Sequence, residues 1–122
     1  MTRYVDEYRR CWVEISVAGA RQEMTLLALV DTGFDGWVCL PMPIAIQLGL
    51  ELFGLQVVEL GDGSEIEELV FRGEVIFNQK RRDVDITLTN SADALLGTGL
   101  LEDSVLTIDF VERTVEIVQK EE

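Results

Sequence analysis

The amino-acid sequence predicts a mainly β protein, a closed antiparallel barrel with one longer helix and one short one. Three observations predict it: alternation of apolar and polar residues in short segments, the arrival of such segments about every ten residues, and turn-forming residues between them. The alternation is clearest where Cys11, Val13, Ile15 and Val17 interleave with Trp12, Glu14 and Ser16. That pattern marks a half-buried strand.

Ala18-Gly19-Ala20-Arg21 reads as a turn, and the almost wholly apolar run from Met24 to Val30 as a strand buried on both faces. It delivers Asp31 at its end. Trp37-Val38-Cys39-Leu40 is a second short strand, and Pro41 opens a helical segment that Gly49 closes as a left-handed cap. Leu55 to Leu60 and Glu65 to Phe77 are strands around Gly61-Asp62-Gly63-Ser64, where Asp-Gly supplies the positive backbone angles of a hairpin. Gly73 suggests a bulge or bend. Val84, Ile86 and Leu88 form another strand, Asn90-Ser91 a turn, and Ala94-Leu95-Leu96-Gly97 a short apolar run before a brief amphipathic segment, Thr98 to Asp103. Leu106, Ile108 and Phe110 match Val115, Ile117 and Gln119 across a turn near Glu112-Arg113.

With 122 residues the chain is expected to be one domain, spanning 1–122, so a two-lobed site would need two chains. The 23 acidic against 10 basic residues give a net charge of −13, which opposes binding to nucleic acid. Arg9-Arg10 and Lys80-Arg81-Arg82 read as solvated turn and strand-end charges. No apolar run is long enough to cross a bilayer and the first ten residues lack a secretory signal, so no membrane partner and a cytoplasmic location are expected. Cys11 and Cys39 are isolated and there is no His, so no metal or cofactor is expected and Ser-His-Asp or Cys-His schemes are excluded. Both thiols read as buried and inert. Carboxylates remain for acid-base chemistry.

Asp31-Thr32-Gly33 sets a carboxylate in a tight turn after an apolar strand. By itself the tripeptide is ordinary turn chemistry. Its surroundings, however, resemble those of the retropepsin-like aspartic proteases, the retroviral protease fold, and in particular its small stand-alone bacterial members. The resemblance rests on Ala28-Leu29-Val30-Asp31-Thr32-Gly33-Phe34-Asp35-Gly36, on Trp37-Val38-Cys39-Leu40-Pro41 with the helix to Leu48-Gly49-Leu50, on the hairpin at Gly61-Asp62-Gly63, and on Ala94-Leu95-Leu96-Gly97-Thr98-Gly99-Leu100-Leu101. It covers about residues 11–118.

The resemblance implies a barrel of the retropepsin-like acid protease type and an aspartic endopeptidase active as a homodimer on a peptide or protein substrate. Asp31 would be the catalytic carboxylate, Thr32 would bond across the dimer axis, and Gly33 would let the backbone approach the substrate. Phe34 and Asp35 would contact substrate with the flap residues Leu60, Gly61, Asp62, Gly63 and Ser64. Leu95, Leu96 and Gly97 would pack under the catalytic loop. Viral members continue that last motif with an Arg that pairs with the acid at the position of Asp35; here Thr98 follows. Arg3, Arg9 or Arg10 would have to take its place, or Asp35 would face water or substrate. Phe34, larger than its viral counterpart, would narrow the adjacent pocket, and Glu65, Glu67 and Glu68 form a solvated face that could also select basic side chains. Two other readings stay open: a retropepsin-like module that binds peptide or dimerises without proteolysis, and an unrelated β-barrel interaction protein. Because a dimer doubles the acidic charge, association is expected to strengthen with ionic strength or mild acid.

Overall fold

A computed structural model describes residues 1–120; Glu121 and Glu122, the end of the expected domain, lie outside the described residues. The strands are β1 (Arg3–Val5), β2 (Cys11–Ala18), β3 (Glu23–Val30), β4 (Val38–Pro41), β5 (Glu51–Glu59), β6 (Glu65–Phe77), β7 (Lys80–Thr89), β8 (Ala94–Leu96), β9 (Ser104–Asp109) and β10 (Thr114–Gln119). The helices are α1 (Met42–Leu48) and α2 (Thr98–Leu101).

Strands pair in the order β2-β3-β8-β4-β7-β6, and β6 returns to β2, closing a six-stranded barrel. The expectation of an antiparallel barrel needs correction: β3–β8 and β4–β7 are parallel, so the barrel is mixed. Alternation reports that a segment is a strand and which side is buried, but carries no information about its neighbour's direction. Here β3 and β4, consecutive in sequence, are separated by β8, which enters between them.

Val13, Ile15 and Val17 of β2 point into the core, where they meet Leu40, Leu48, Ile86 and Leu96, all almost completely buried. Side chains of this size contribute roughly 1.5–3 kcal/mol each when taken out of water. Cys11 and Cys39 are buried free thiols, and burial raises the pKa of both.

Pro41 ends β4 and stands as the N-cap of α1, with a φ of −57° suited to that position; Pro43 follows inside the first turn. Gly49 closes the helix at φ 70°, its amide donating to the carbonyls of Ala45 and Ile46. Gly73 produces no bulge. The register of β6 with β7 runs through it unbroken, and the irregularity lies in β5 between Leu52 and Gly54. At Gly73 the outer edge of β6 passes from β5 to β2, and an added Cβ would meet Ile86 and Leu50 at 2.8 Å. The glycine allows close packing.

Strand β1 was not expected from the sequence; it pairs with β2, and Val5 donates its amide to Arg113, joining the barrel to the β9–β10 hairpin. In that hairpin Leu106 faces Ile117 and Ile108 faces Val115, as the pattern suggests, while Phe110 falls beyond the strand and is exposed. The turn after β1 is organised by Asp6. Its carboxylate accepts hydrogen bonds from the Tyr8 and Arg10 amides and from Arg10 Nε, each at 2.9 Å, and from the Trp12 indole at 2.8 Å. Desolvation pushes the Asp6 pKa up, but the hydrogen bonds, that of Trp12 foremost, outweigh it and hold the group at about 2. Among the described residues no helix is long and apolar enough to cross a membrane.

Candidate active site

The loop carrying Asp31 joins β3 to β4, and β8 pairs with both of those strands, with Val30 beside Leu96 on one side and Val38 beside Leu96 on the other. Backbone hydrogen bonds then bind the loop along its length. The Asp31 amide donates to the Leu96 carbonyl, and the Gly97 amide to the Trp37 carbonyl, both at 2.9 Å. The Gly99 amide donates to the Gly36 carbonyl at 2.9 Å. Leu96 is fully buried beneath, and Leu95 forms part of the cleft floor. At Gly97 a side chain has no room: a Cβ would press on the Gly36 and Phe34 carbonyls and come within 2.6 Å of the Phe34 ring. The residues expected to support the loop therefore lie directly against it.

Within the loop, Asp31 Oδ1 accepts the Gly33 amide at 2.9 Å, and the Phe34 amide donates to the Asp31 carbonyl at 3.1 Å. This turn holds the Asp31 carboxylate at one wall of a cleft of about 560 Å³. Gly33, Phe34 and Asp35 line the same cleft. Thr32 is exposed and lines a neighbouring hollow of about 350 Å³ together with Arg9, Arg10, Ile108 and Phe110.

Thr98 bonds the loop rather than Asp35. Its amide, at 2.8 Å, and its hydroxyl, at 3.3 Å, both donate to the Phe34 carbonyl, so the loop is tied back by a neutral side chain one residue before Asp35. None of the three candidate arginines reaches Asp35. Arg3 donates to Asn78 at 2.9 Å, Arg10 pairs with Asp6 and packs over the Tyr8 and Trp12 rings, and Arg9 lines the other hollow. Asp35 is exposed, and among the described residues it has no ion pair.

The hairpin of β5 and β6 forms the opposite side of the cleft, but through its stem: Gln56, Val58 and Glu68 line it. Leu60, Gly61, Asp62, Gly63 and Ser64 make the tip and are not among the lining residues. In the tip only Gly63 takes a positive φ, 87°, whereas Asp62 accepts hydrogen bonds from the Ser64 hydroxyl and amide that lower its pKa. The Asp-Gly pair thus builds a longer loop than the tight turn expected of it. Asp85 and Thr87 of β7 complete the wall beside Cys39. Sequence reasoning passed over Gln56, Val58, Asp85 and Thr87, and of these lining residues singled out only Glu68, among the carboxylates that could select basic side chains. The available signal was polar residues at alternate positions of otherwise apolar strands, as at Gln56 and Thr87.

Four carboxylates, Asp31, Asp35, Glu68 and Asp85, and no Lys or Arg line the cleft. Arg72 neutralises Asp85 at 2.7 Å, and the Gln56 amide donates to Glu68 at 3.3 Å. Burial raises the Cys39 pKa, a hydrogen bond with Thr87 partly opposes it, and the negative field of Glu68 adds a smaller rise. Among the described residues no group of three or more potential metal ligands is assembled.

No protein-family profile matches this chain, and no curated protein matches it in sequence. Solved structures do match it. A retropepsin-like aspartic protease from Rickettsia conorii aligns with a TM-score of 0.59 at 18% identity, over 95% of this chain and 87% of that one. The EIAV protease in complex with the inhibitor HBY-793 aligns at 0.58 and 15% identity, over 80% of this chain and 90% of that one. The protease of simian foamy virus (mac) aligns at 0.56 and 14% identity, over 75% of this chain and 91% of that one. The fold is that of aspartic proteases. More narrowly, it is the retropepsin-like fold shared by retroviral proteases and a bacterial one.

Proposed function

We propose that this protein is an aspartic endopeptidase that acts as a homodimer, each subunit contributing one Asp31 to a catalytic dyad. The observation that carries the reading is the setting of Asp31. Its carboxylate stands at the cleft, where among the described residues it accepts a hydrogen bond from its own loop's Gly33 amide alone, on a turn held from behind by β8. Asp-Thr-Gly occurs once in the sequence, so the second such carboxylate must come from a second copy. The fold likeness to aspartic proteases supports the same reading.

Two carboxylates in contact cannot both remain ionised, so one keeps a proton. The ionised member takes a proton from a water as that water attacks the scissile carbonyl carbon. The protonated member donates to the carbonyl oxygen, and a proton then passes to the departing amine. Gly33 keeps side chains away from the peptide backbone, and closure of the β5–β6 hairpin excludes bulk water.

Replacing Asp31 by Asn removes the group that accepts the proton. Cleavage of a diverse peptide library should fall on the order of 10⁴-fold or more, with the melting temperature nearly unchanged and wild-type cleavage blocked by a transition-state inhibitor of aspartic proteases. Undiminished cleavage by a clean Asp31→Asn preparation overturns the mechanism. No inhibitor-sensitive product from the wild type at any pH leaves a peptide-binding module instead.

A further inference from the structure

The β5–β6 hairpin carries the barrel's interior face out into solvent. Phe71 of β6 lies opposite Ile86, which is in the core, so Phe71 and the other residues on its face of β6 continue the core side of the sheet. Two positions further along that face Leu69 pairs with Leu55, and Val57 follows on the same side of β5. There the barrel has ended. Leu55 is 64% exposed, Val57 63% and Leu69 46%. Leu69 also borders a depression of about 220 Å³ with Leu88 and with Met42 of α1, itself 47% exposed. The other face of the hairpin bears Gln56, Val58 and Glu68 and belongs to the cleft. The apolar row is therefore on the back of the hairpin, away from the cleft.

Single exposed apolar residues are ordinary, but a contiguous row with a charged rim marks a contact surface. The rim is acidic: Glu67 lies opposite Val57, and Glu59 opposite Glu65. In a chain of net charge −13 a second copy would bring the same carboxylates against these, which the field opposes. The complementary surface is apolar with positive flanks. We propose that the back of the hairpin, formed by Leu55, Val57 and Leu69 with Met42, docks a segment of another protein whose apolar side chains are flanked by Lys or Arg. Apolar contact supplies the affinity, and Glu59, Glu65 and Glu67 supply orientation and the rate of encounter. The surface is separate from the cleft and does not depend on proteolysis.

The test uses the full chain and two fluorescent peptides with the same alternating Leu and Val core, one flanked by Lys pairs and one by Glu pairs. Fluorescence anisotropy should show the Lys-flanked peptide binding at least about tenfold more tightly, with an affinity that falls as salt rises. Leu55→Ser with Val57→Ser should weaken it at least about tenfold, whereas Val58→Ser, on the cleft face of the same strand, should not. Glu67→Lys provides a variant without an apolar truncation and should narrow the difference between the two peptides. Equal affinity for both peptides, or sensitivity to Val58→Ser but not to the Leu55 and Val57 changes, overturns the proposal. So does sedimentation in which those two changes dissolve a self-association of the protein, since a second copy would then be the occupant.

Discussion

The Asp31 loop and the β5–β6 hairpin face each other across one cleft and are held in opposite ways. The loop is clamped: β8 fits between β3 and β4, four carbonyls of the loop and of β8 accept amides across the junction, and Gly97 leaves no spare volume. The hairpin is held chiefly by its own ladder, with β5 at the end of the sheet and most of its side chains exposed. In the proposed dyad the Asp31 carboxylate needs fixed geometry, which dense packing supplies. The proposed cover needs local freedom to admit a substrate, which few buried contacts allow.

Substitutions at matched positions sharpen this contrast. Leu96→Ala removes a fully buried side chain beneath the loop and should cost about 2–5 kcal/mol in denaturant unfolding; a loss below that range would mean the junction relaxes easily and is no clamp. Gly97→Ala forces a methyl against Phe34 and the Gly36 carbonyl and should cost about 1–3 kcal/mol. Its further signature is a loss of peptide turnover larger than the loss of folded protein, because Phe34 and Gly36 belong to the loop itself. On the hairpin, Leu55→Ser should stay within about 0.5 kcal/mol of wild type, as expected for an exposed position. If Leu55→Ser matches Leu96→Ala, the contrast between the regions fails.

Asp6 gives a smaller effect, read by pH. Its folded pKa lies below the ordinary value of 3.8, at about 2, so its contribution is complete above about pH 4 and is lost as pH falls toward 2. The difference in melting temperature between wild type and Asp6→Asn should therefore be constant from neutral pH to about 4 and shrink below it. A difference that is unchanged at pH 2 would show that the Trp12 and Arg10 hydrogen bonds do not favour the ionised form.

Much of the fold was legible because burial has a period. The alternation in β2, the Pro41 to Gly49 helix and the pairing of Leu106 and Ile108 with Ile117 and Val115 each follow from local sequence, whereas the apolar run of β3 gave the strand but not its burial on both faces, since Thr25 and Leu27 are exposed. What was not legible involves partners distant in the chain. Strand direction in the barrel depends on β8 arriving from sixty residues away to separate β3 from β4. Gly73 read as a bulge or bend because a strand glycine has several uses, and only the register and the neighbours Ile86 and Leu50 show that it makes no bulge and allows close packing. The stem residues Gln56 and Val58 were overlooked for the flap tip, since the side of the hairpin that meets the cleft follows from the twist of the whole sheet.

For the site itself, the sequence alone determined that a carboxylate would sit in a turn after an apolar strand, because Asp, Thr and Gly make that turn through short-range hydrogen bonds. Tertiary structure alone decided what holds the turn and what the cleft is made of. It put the Thr98 hydroxyl on the Phe34 carbonyl, left Asp35 exposed and out of reach of the three candidate arginines, and set Glu68 and Asp85 in the same cleft. Hydrogen bonds between neighbours in sequence are written in local order, whereas contacts across a barrel exist only once its closure has brought β4, β6, β7 and β8 to one place.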